Sequence, residues 1–98
     1  MIESFGNKTA KTLWETSQCK GIDNKVALRA KALLSFMHAT STLKDLQVCA
    51  IPPNPKLHKL KGDRKNEWSM WIATNSPLRI VFKFADGKFF DVKVEDYH

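Results

Sequence analysis

The sequence contains few of the residues that hold a protein together by covalent or metal bonds. Its two cysteines, Cys19 and Cys49, are too few for a disulfide scaffold and match no metal-ligand spacing. We therefore expect free thiols in a reducing compartment. The longest apolar run extends over only a few residues, which excludes a transmembrane helix. Since the N-terminus also lacks the pattern of a secretory signal, a cytoplasmic protein is predicted.

Several catalytic signatures are missing as well. The sequence has no glycine-rich phosphate loop, no Ser-His-Asp signature and no carboxylate pair with a clear partner. Three prolines within residues 52–55 exclude regular structure there and predict an ordered surface loop. Because those catalytic signatures are missing, acid–base chemistry would have to come from histidine or tyrosine, with cations beside them.

What the sequence does contain is basic charge. The formal net charge is +6, which favours a polyanionic partner, and 43% hydrophobic with 27% charged residues is typical of a globular protein. We expect a single domain over residues 1–98. Residues 56–65 carry five cations against one aspartate, so this tenth of the chain holds +4 of the charge. The cations of this basic segment are Lys56, Lys59, Lys61, Arg64 and Lys65, and the segment also includes His58.

The first half of the sequence has helical periodicity. Residues 2–5 alternate and predict a short strand, after which Asn7 suits the N-cap of a helix over residues 8–18. Asp23 suits the cap of a second helix over residues 24–39, which we interpret as the core helix. Its apolar stripe comprises Val26, Ala30, Leu33, Leu34 and Met37.

From residue 56 onward the hydrophobic period changes to two, which predicts strands. Asp86–Gly87 is a hairpin signal between the last two strands. The side chains expected to face the core are Leu57, Trp68, Met70, Ile72, Leu78, Ile80, Phe82, Phe84, Phe90, Val92 and Val94. The pattern predicts an α+β fold in which the helices cover one face of an antiparallel sheet. The other face should be polar and charged, and function is expected there.

The aromatic residues divide between these two faces. Trp14 and Trp68 are interpreted as core residues, and His38 as a structural residue at the end of the core helix. Trp71 falls on the opposite face from Trp68 by alternation. It is a candidate for base stacking or for contact with a protein partner.

Four short segments carry a resemblance to a known family. "MIESF", "LHKLKGD", "LRIVFKF" and the terminal "VEDYH" occur in this order between Met1 and His98. Their combination resembles the HigB branch of the RelE-type toxins. The resemblance implies a RelE-like fold, with two N-terminal helices on a curved antiparallel sheet. It also implies a toxin of a toxin–antitoxin pair that enters the ribosomal A site and cuts the messenger RNA there, without a metal or other cofactor.

The resemblance also implies a set of site residues. The expected catalytic residues are His58, Lys61, Arg79, Asp96, Tyr97 and His98. The basic side chains expected to bind RNA around them are Lys56, Lys59, Arg64, Lys65 and Lys83.

The sequence departs from the family pattern without losing an expected catalytic group. Lys59 stands where proline is frequent, and Leu78 replaces the common tryptophan before Arg79. Gly6 replaces a basic residue, and Glu67 replaces an aromatic one. These differences bear on RNA affinity and codon preference more than on activity.

The expected mechanism is metal-independent cleavage by the 2′-OH of the RNA. His58 and His98 are assigned as the acid–base pair, in either order, because a histidine pKa near 6.5 suits both roles. Lys61 and Arg79 would clamp the phosphate, and Arg79 can do so with two parallel hydrogen bonds.

The remaining two catalytic candidates have more than one expected role. Tyr97 would stack on a base or orient the 2′-OH through its hydroxyl. Asp96 would hold a histidine tautomer or order the cationic cluster.

The partners implied are a HigA-like helix-turn-helix antitoxin, ribosomal RNA and messenger RNA, with DNA contacted only through the antitoxin and no membrane. A catalytically inert binding module on the same fold, acting with an antitoxin in transcriptional autoregulation, is the alternative. Such a relative should have lost part of the site, whereas His58, Lys61, Arg79, Tyr97 and His98 are all present. The hypothesis of a DNA-binding protein is poorly supported, because no predicted helix has the basic pattern of a recognition helix.

Overall fold

The computed structural model describes residues 1–48 and 56–96 and has the predicted α+β fold. Within these residues the helices are α1 (Lys8–Thr16), α2 (Asn24–His38) and α3 (Leu43–Gln47). They precede strands β1 (His58–Lys59), β2 (Trp68–Trp71), β3 (Leu78–Ala85) and β4 (Lys88–Asp96), which form one antiparallel sheet in the order β1-β2-β3-β4. None of the helices in these ranges is long and apolar enough to cross a bilayer. The expectations for the proline-rich loop, Cys49, Tyr97 and His98 fall outside the described residues.

The helix α2 packs its predicted stripe into the core, where all five residues are buried. Asp23 caps it by accepting a hydrogen bond from the Lys25 N–H at 3.0 Å. The helix α1 starts after Asn7 as predicted but ends at Thr16, two residues early. It ends there because Ser17 adopts the left-handed conformation, with φ of 61°.

The hairpin between β3 and β4 turns at Asp86–Gly87, as predicted. Both residues have positive φ, 51° and 77°, which matches the tight turn that suits the twist of paired strands. The predicted alternation along β4 is wrong at its start, since Phe89 and not Phe90 is fully buried. Asp91 has a φ of 51° and lies where the register with β3 shifts, so a β-bulge inserts one extra residue.

The N-terminal segment, residues 1–6, runs parallel to β4 along its free edge. It forms two isolated bridges instead of the continuous strand predicted. Glu3 N–H donates to the Phe89 carbonyl and Gly6 N–H to the Val92 carbonyl, both at 2.8 Å. The edge of β4 is therefore covered along this stretch, which protects it from pairing with another chain.

Gly6 is a glycine for a steric reason. A Cβ atom built at this position would lie 2.8 Å from the backbone oxygen of Asp91 and 2.7 Å from the Cγ atom of Lys93. The segment approaches the bulge too closely for a side chain. The absence of the basic residue that the family pattern would place here follows from this packing.

Asn7 joins the helices to the sheet. Its Oδ1 atom caps α1 by accepting from the Ala10 N–H at 3.0 Å and also accepts from the Val94 N–H at 3.3 Å. Its Nδ2 atom donates to the Val94 carbonyl at 3.0 Å. One side chain thus satisfies the start of a helix and two backbone groups at the edge of β4.

Replacing Asn7 with alanine should lower the free energy of unfolding by ~1 kcal/mol for the lost cap. The loss should be larger by roughly 1–3 kcal/mol if the substitution leaves the backbone N–H and carbonyl of Val94 unpaired. Asn7→Ser is the matched control, because a serine can cap α1 but is too short to bond both groups of Val94. Urea denaturation should rank stability as Asn, then Ser, then Ala. Equal stability of the Asn and Ser proteins would contradict the bridge to Val94.

Candidate active site

The face of the sheet that points away from the helices, called here the outer face, carries two adjacent rows of cross-strand neighbours. The first row is His58, Ser69, Val81 and Lys93. The second row is Trp71, Arg79 and Glu95. Because neighbouring strands lie about 5 Å apart, these side chains share one compact surface. Two of the predicted catalytic residues, His58 and Arg79, are thus brought to the same face.

His58 is exposed on β1 and contacts the main chain just before it. Its Nδ1 atom lies 3.1 Å from the Lys56 carbonyl oxygen. A carbonyl can only accept, so Nδ1 carries a proton and donates it. In the neutral ring the other nitrogen, Nε2, is then the unprotonated one. This tautomer leaves Nε2 able to take a proton from a substrate.

Lys61 lies just beyond β1. It is exposed and occupies the position before a 3₁₀ turn, Gly62–Arg64. Together with His58 it lines a shallow hollow at this end of the sheet. The basic segment thus contributes both His58 and Lys61 to the lining of this hollow.

Arg79 is half-buried, and its guanidinium is held by the chain that leads into β3. Its Nη1 atom donates to the carbonyl oxygens of Ser76 and Leu78, both at 2.9 Å. Leu78 N–H in turn donates to the Ser76 hydroxyl at 3.2 Å. The Pro77–Leu78 sequence, which departs from the family pattern, therefore forms part of a backbone cradle for Arg79.

Trp71 lies on the outer face, as the alternation predicts, but two cations occupy its ring. The Lys56 ammonium lies 4.4 Å from the ring centroid, and the Arg79 guanidinium carbon lies 4.7 Å from it. Such contacts contribute about 0.5–1 kcal/mol each at exposed sites. Trp71 therefore holds two basic side chains close together.

A network of ion pairs crosses the outer face beside these rows. Arg64 bonds to Glu67 at 2.7 Å and also to Glu95, while Lys93 pairs with Glu67 at 2.9 Å. Glu67 is only 7% exposed. Burial alone would raise its pKa, but hydrogen bonds and charges from Arg64 and Lys93 outweigh this and lower the pKa. Arg64, predicted to bind RNA, is thus engaged within the protein.

The other predicted RNA-binding lysines are distributed unevenly. Lys83 is exposed on β3 and forms a loose ion pair with Asp91 at 3.4 Å. Lys65 is exposed after the 3₁₀ turn. Lys59 pairs across the sheet with Trp68, a residue packed against the core, so the strand register places it on the opposite face from His58.

The end of β4 separates the predicted terminal residues. Asp96 is exposed and is the cross-strand neighbour of Leu78, which packs on the core side. By register, Asp96 lies on the opposite face from Arg79 and Glu95. Tyr97 and His98 lie outside the described residues, so their place in the site stays a prediction.

The outer face is less polar than predicted. Val81 and Ser69 are fully buried there and Leu60 is nearly so, although neither Leu60 nor Val81 belongs to the main core cluster. The Ser69 hydroxyl has no hydrogen-bond partner among the described residues. A small apolar floor therefore lies beneath the charged side chains.

His38 and Trp14 lie elsewhere and fit the structural roles expected of them. His38 Nδ1 accepts a hydrogen bond from the Ile2 N–H at 3.2 Å, and its ring lies 5.2 Å from that of Trp14. In this contact His38 acts as a hydrogen-bond acceptor. Its position at the end of α2 had suggested a cation instead. Across residues 1–48 and 56–96, no three His, Cys, Asp or Glu side chains are grouped to hold a metal ion.

Sequence reasoning missed the ion-pair network. Glu67 carries no periodic signal, since it sits between a turn and a strand. The paired members of the network are up to 31 residues apart in the chain. The placement of Trp71 could be found from alternation, but its two cations could not.

Comparison with known proteins gives two matches. The family model described as the RelE-like toxin of the type II toxin–antitoxin system HigB matches residues 3–98. The chain is also 33% identical to Endoribonuclease HigB of Proteus vulgaris over 98 residues, which covers 100% of both proteins.

Replacing Glu67 with glutamine should make stability less dependent on pH. A carboxylate with a lowered pKa stabilises the fold above its unfolded pKa, about 4.3, and this contribution is lost as the pH falls through the folded pKa. The melting temperature of Glu67→Gln should therefore lie below that of the unaltered protein near pH 7, and the two should converge as the pH falls through the lowered pKa of Glu67. Glu3→Gln, which breaks an exposed pair with Lys88, should differ little at any pH. A constant gap for Glu67→Gln across this range would contradict the network.

Replacing Ser69 with alanine should stabilise the protein. The change removes a buried hydroxyl without a partner, whose desolvation costs about 1–3 kcal/mol. Thermal unfolding should show a higher midpoint, whereas Thr16→Ala, which removes a hydroxyl that donates to Thr12 O, should not. A lower midpoint for Ser69→Ala would mean that the hydroxyl is paired in solution.

Proposed function

The chain belongs to the HigB-like toxins, the RelE-like toxins of type II toxin–antitoxin systems, and on that basis we propose that it is an endoribonuclease that cuts messenger RNA in the ribosomal A site. The observation that carries this proposal is the outer face. There His58, with Nδ1 protonated, and Arg79, fixed by two backbone carbonyls, lie in adjacent rows.

The proposed reaction begins at the RNA 2′-OH. His58 Nε2 removes its proton, and the oxygen attacks the adjacent phosphorus atom. Arg79 and Lys61 stabilise the extra negative charge on the phosphate oxygens, which preorganised cations do without reorganising during the step. The bond to the 5′-oxygen breaks, and an acid returns a proton to that oxygen. The products are a 2′,3′-cyclic phosphate and a 5′-hydroxyl.

His98 is proposed as the acid, and Tyr97 as the group that stacks on a base or orients the 2′-OH. The tautomer of His58 favours it as the base, which leaves the acid role to the other histidine of the predicted pair. Asp96 is proposed to act from the rim, by ordering neighbouring charges. No step in this scheme uses a metal ion or another cofactor.

A toxin of a type II system acts with an antitoxin. We propose that this partner is a HigA-like helix-turn-helix protein and that DNA is reached only through it. The basic outer face would meet ribosomal RNA and the message in the cytoplasm, with affinity that falls as salt rises. One domain over residues 1–98 would carry all of these contacts.

Induced expression of the chain should arrest growth, and His58→Ala should relieve the arrest. On programmed ribosomes, single-turnover cleavage should slow by about 10²–10⁴-fold for His58→Ala, as for loss of a positioned base. Lys61→Ala should slow it by about 10²–10³-fold, as for loss of a stabilising donor. Lys44→Ala, on the exposed side of α3, is the matched control and should cleave normally.

Deletion of His98 should abolish cleavage and leave the melting temperature unchanged. The 5′ product should end in a 2′,3′-cyclic phosphate, and the 3′ product should begin with a 5′-hydroxyl. If the unaltered chain neither arrests growth nor cleaves ribosome-bound message, the inert binding module is the better reading. If free RNA is cleaved as fast as ribosome-bound message, the proposed dependence on the ribosome is contradicted.

A further inference from the structure

Lys56 connects the two halves of the outer face. Its carbonyl accepts the hydrogen bond from His58 Nδ1 at 3.1 Å, and its ammonium group lies 4.4 Å from the ring centroid of Trp71. The guanidinium carbon of Arg79 lies 4.7 Å from the same centroid. Lys56 and Trp71 thus join the imidazole of His58 to the guanidinium of Arg79.

Two cations at one ring repel each other. Both distances end on the same centroid, so the two charges cannot be farther apart than those distances combined. The attraction of the ring for each cation opposes this repulsion. An anion that contacts both cations would offset the repulsion with two attractions.

We propose that Lys56, Trp71 and Arg79 form a phosphate-binding subsite that holds a phosphodiester of single-stranded RNA beside His58. The inference rests on the proposed function and adds to the predicted phosphate clamp of Arg79 a second cation, Lys56, and a positioning role for Trp71. Lys56 and Arg79 contact the phosphate. Trp71 is a positioning residue that holds both cations and does not serve as a stacking platform, because its ring already carries them.

The donors of Arg79 fit this ligand. Its Nη1 atom is engaged by the carbonyls of Ser76 and Leu78, whereas Nε and Nη2 make no hydrogen bond to any residue that the structure describes. Those two groups form the edge of the guanidinium that matches the paired oxygens of a phosphate. The backbone cradle thus fixes the side chain while it leaves this edge for a ligand.

The position of His58 favours RNA over an acidic peptide. A carboxylate-rich segment would need cations only, whereas here the cation pair is tied through the Lys56 backbone to an imidazole with Nδ1 protonated. An acid–base group beside a phosphate site suits a ligand that reacts next to its phosphate.

The test uses the full chain without ribosomes. A four-residue 2′-O-methyl oligoribonucleotide, which cannot be cleaved by 2′-OH attack, is titrated while the indole N–H of Trp71 and the Nε–H of Arg79 are followed by NMR. Inorganic phosphate and a polyglutamate peptide are titrated in parallel. Both signals should shift saturably with the oligonucleotide and more weakly with the other two ligands.

Variants separate the roles. Lys56→Met should weaken binding and reduce the slope of log affinity against log salt by about 0.7, the value for one phosphate contact on a single strand. Trp71→Leu should raise the dissociation constant about tenfold, and Trp71→Phe, which keeps a ring, should stay within about threefold. Lys44→Met on α3 removes the same charge elsewhere and should leave affinity and slope unchanged.

The inference is overturned if Lys56→Met and Trp71→Leu bind with unchanged affinity and salt slope. It is also overturned if inorganic phosphate binds as tightly as the oligonucleotide, or if polyglutamate binds more tightly. Because Lys56 is exposed, its variant should fold even if Trp71→Leu does not. Normal oligonucleotide binding by a chain that fails to cleave on ribosomes would support the subsite while it removes the proposed activity.

Discussion

The structure depends on the side chain of Asn7 and its three hydrogen bonds. They connect the first turn of α1 to the backbone of Val94 across 87 positions of the sequence. Residues 1–6 reach β4 only as isolated bridges, so Asn7 fixes the end of this interrupted pairing. The same side chain places the helical layer against the edge strand that leads to the predicted catalytic tail. The core and the proposed site therefore share one anchor.

The outer face carries two kinds of cation. Some are already paired with carboxylates, and others remain exposed. Arg64 and Lys93 are paired with Glu67 and Glu95, so these two cations are engaged within the protein. The pairs lie over buried Val81 and Ser69 and form part of the fold. Arg79 differs, because backbone carbonyls and an aromatic ring hold it without cancelling its charge. This division gives a surface with a fixed frame and a smaller set of groups for binding.

Local patterns predicted the parts of the fold that local forces determine. The stripe of α2 and the Asp86–Gly87 turn follow from residues close in sequence, and both are confirmed. The bulge at Asp91 was missed because it arises where β4 meets β3 on one side and the N-terminal segment on the other. Alternation alone could not locate that extra residue, and so it placed Phe90 in the core instead of Phe89.

The geometry of the candidate site was predictable to a similar extent. Resemblance selected His58 and Arg79, and alternation placed Arg79 and Trp71 on the outer face. It could not show that Lys56 reaches the Trp71 ring or that Arg64 pairs with Glu95, because those contacts join distant segments through side-chain conformations. The strand register also divides the basic segment, with His58 and Lys59 on opposite faces. The roles of Tyr97 and His98 remain predictions.

The contact between Asn7 and Val94 has a consequence for synthesis. A ribosome makes the residues of α1 and α2 long before it makes β4, yet the edge that receives Asn7 exists only once Val94 has been added. Residues 1–7 must therefore wait for the last strand, and contacts of such long sequence separation form slowly. The nascent chain cannot complete this fold during most of its own translation. A protein proposed to act on ribosomes thus gains its finished shape only after the ribosome that makes it has synthesised β4.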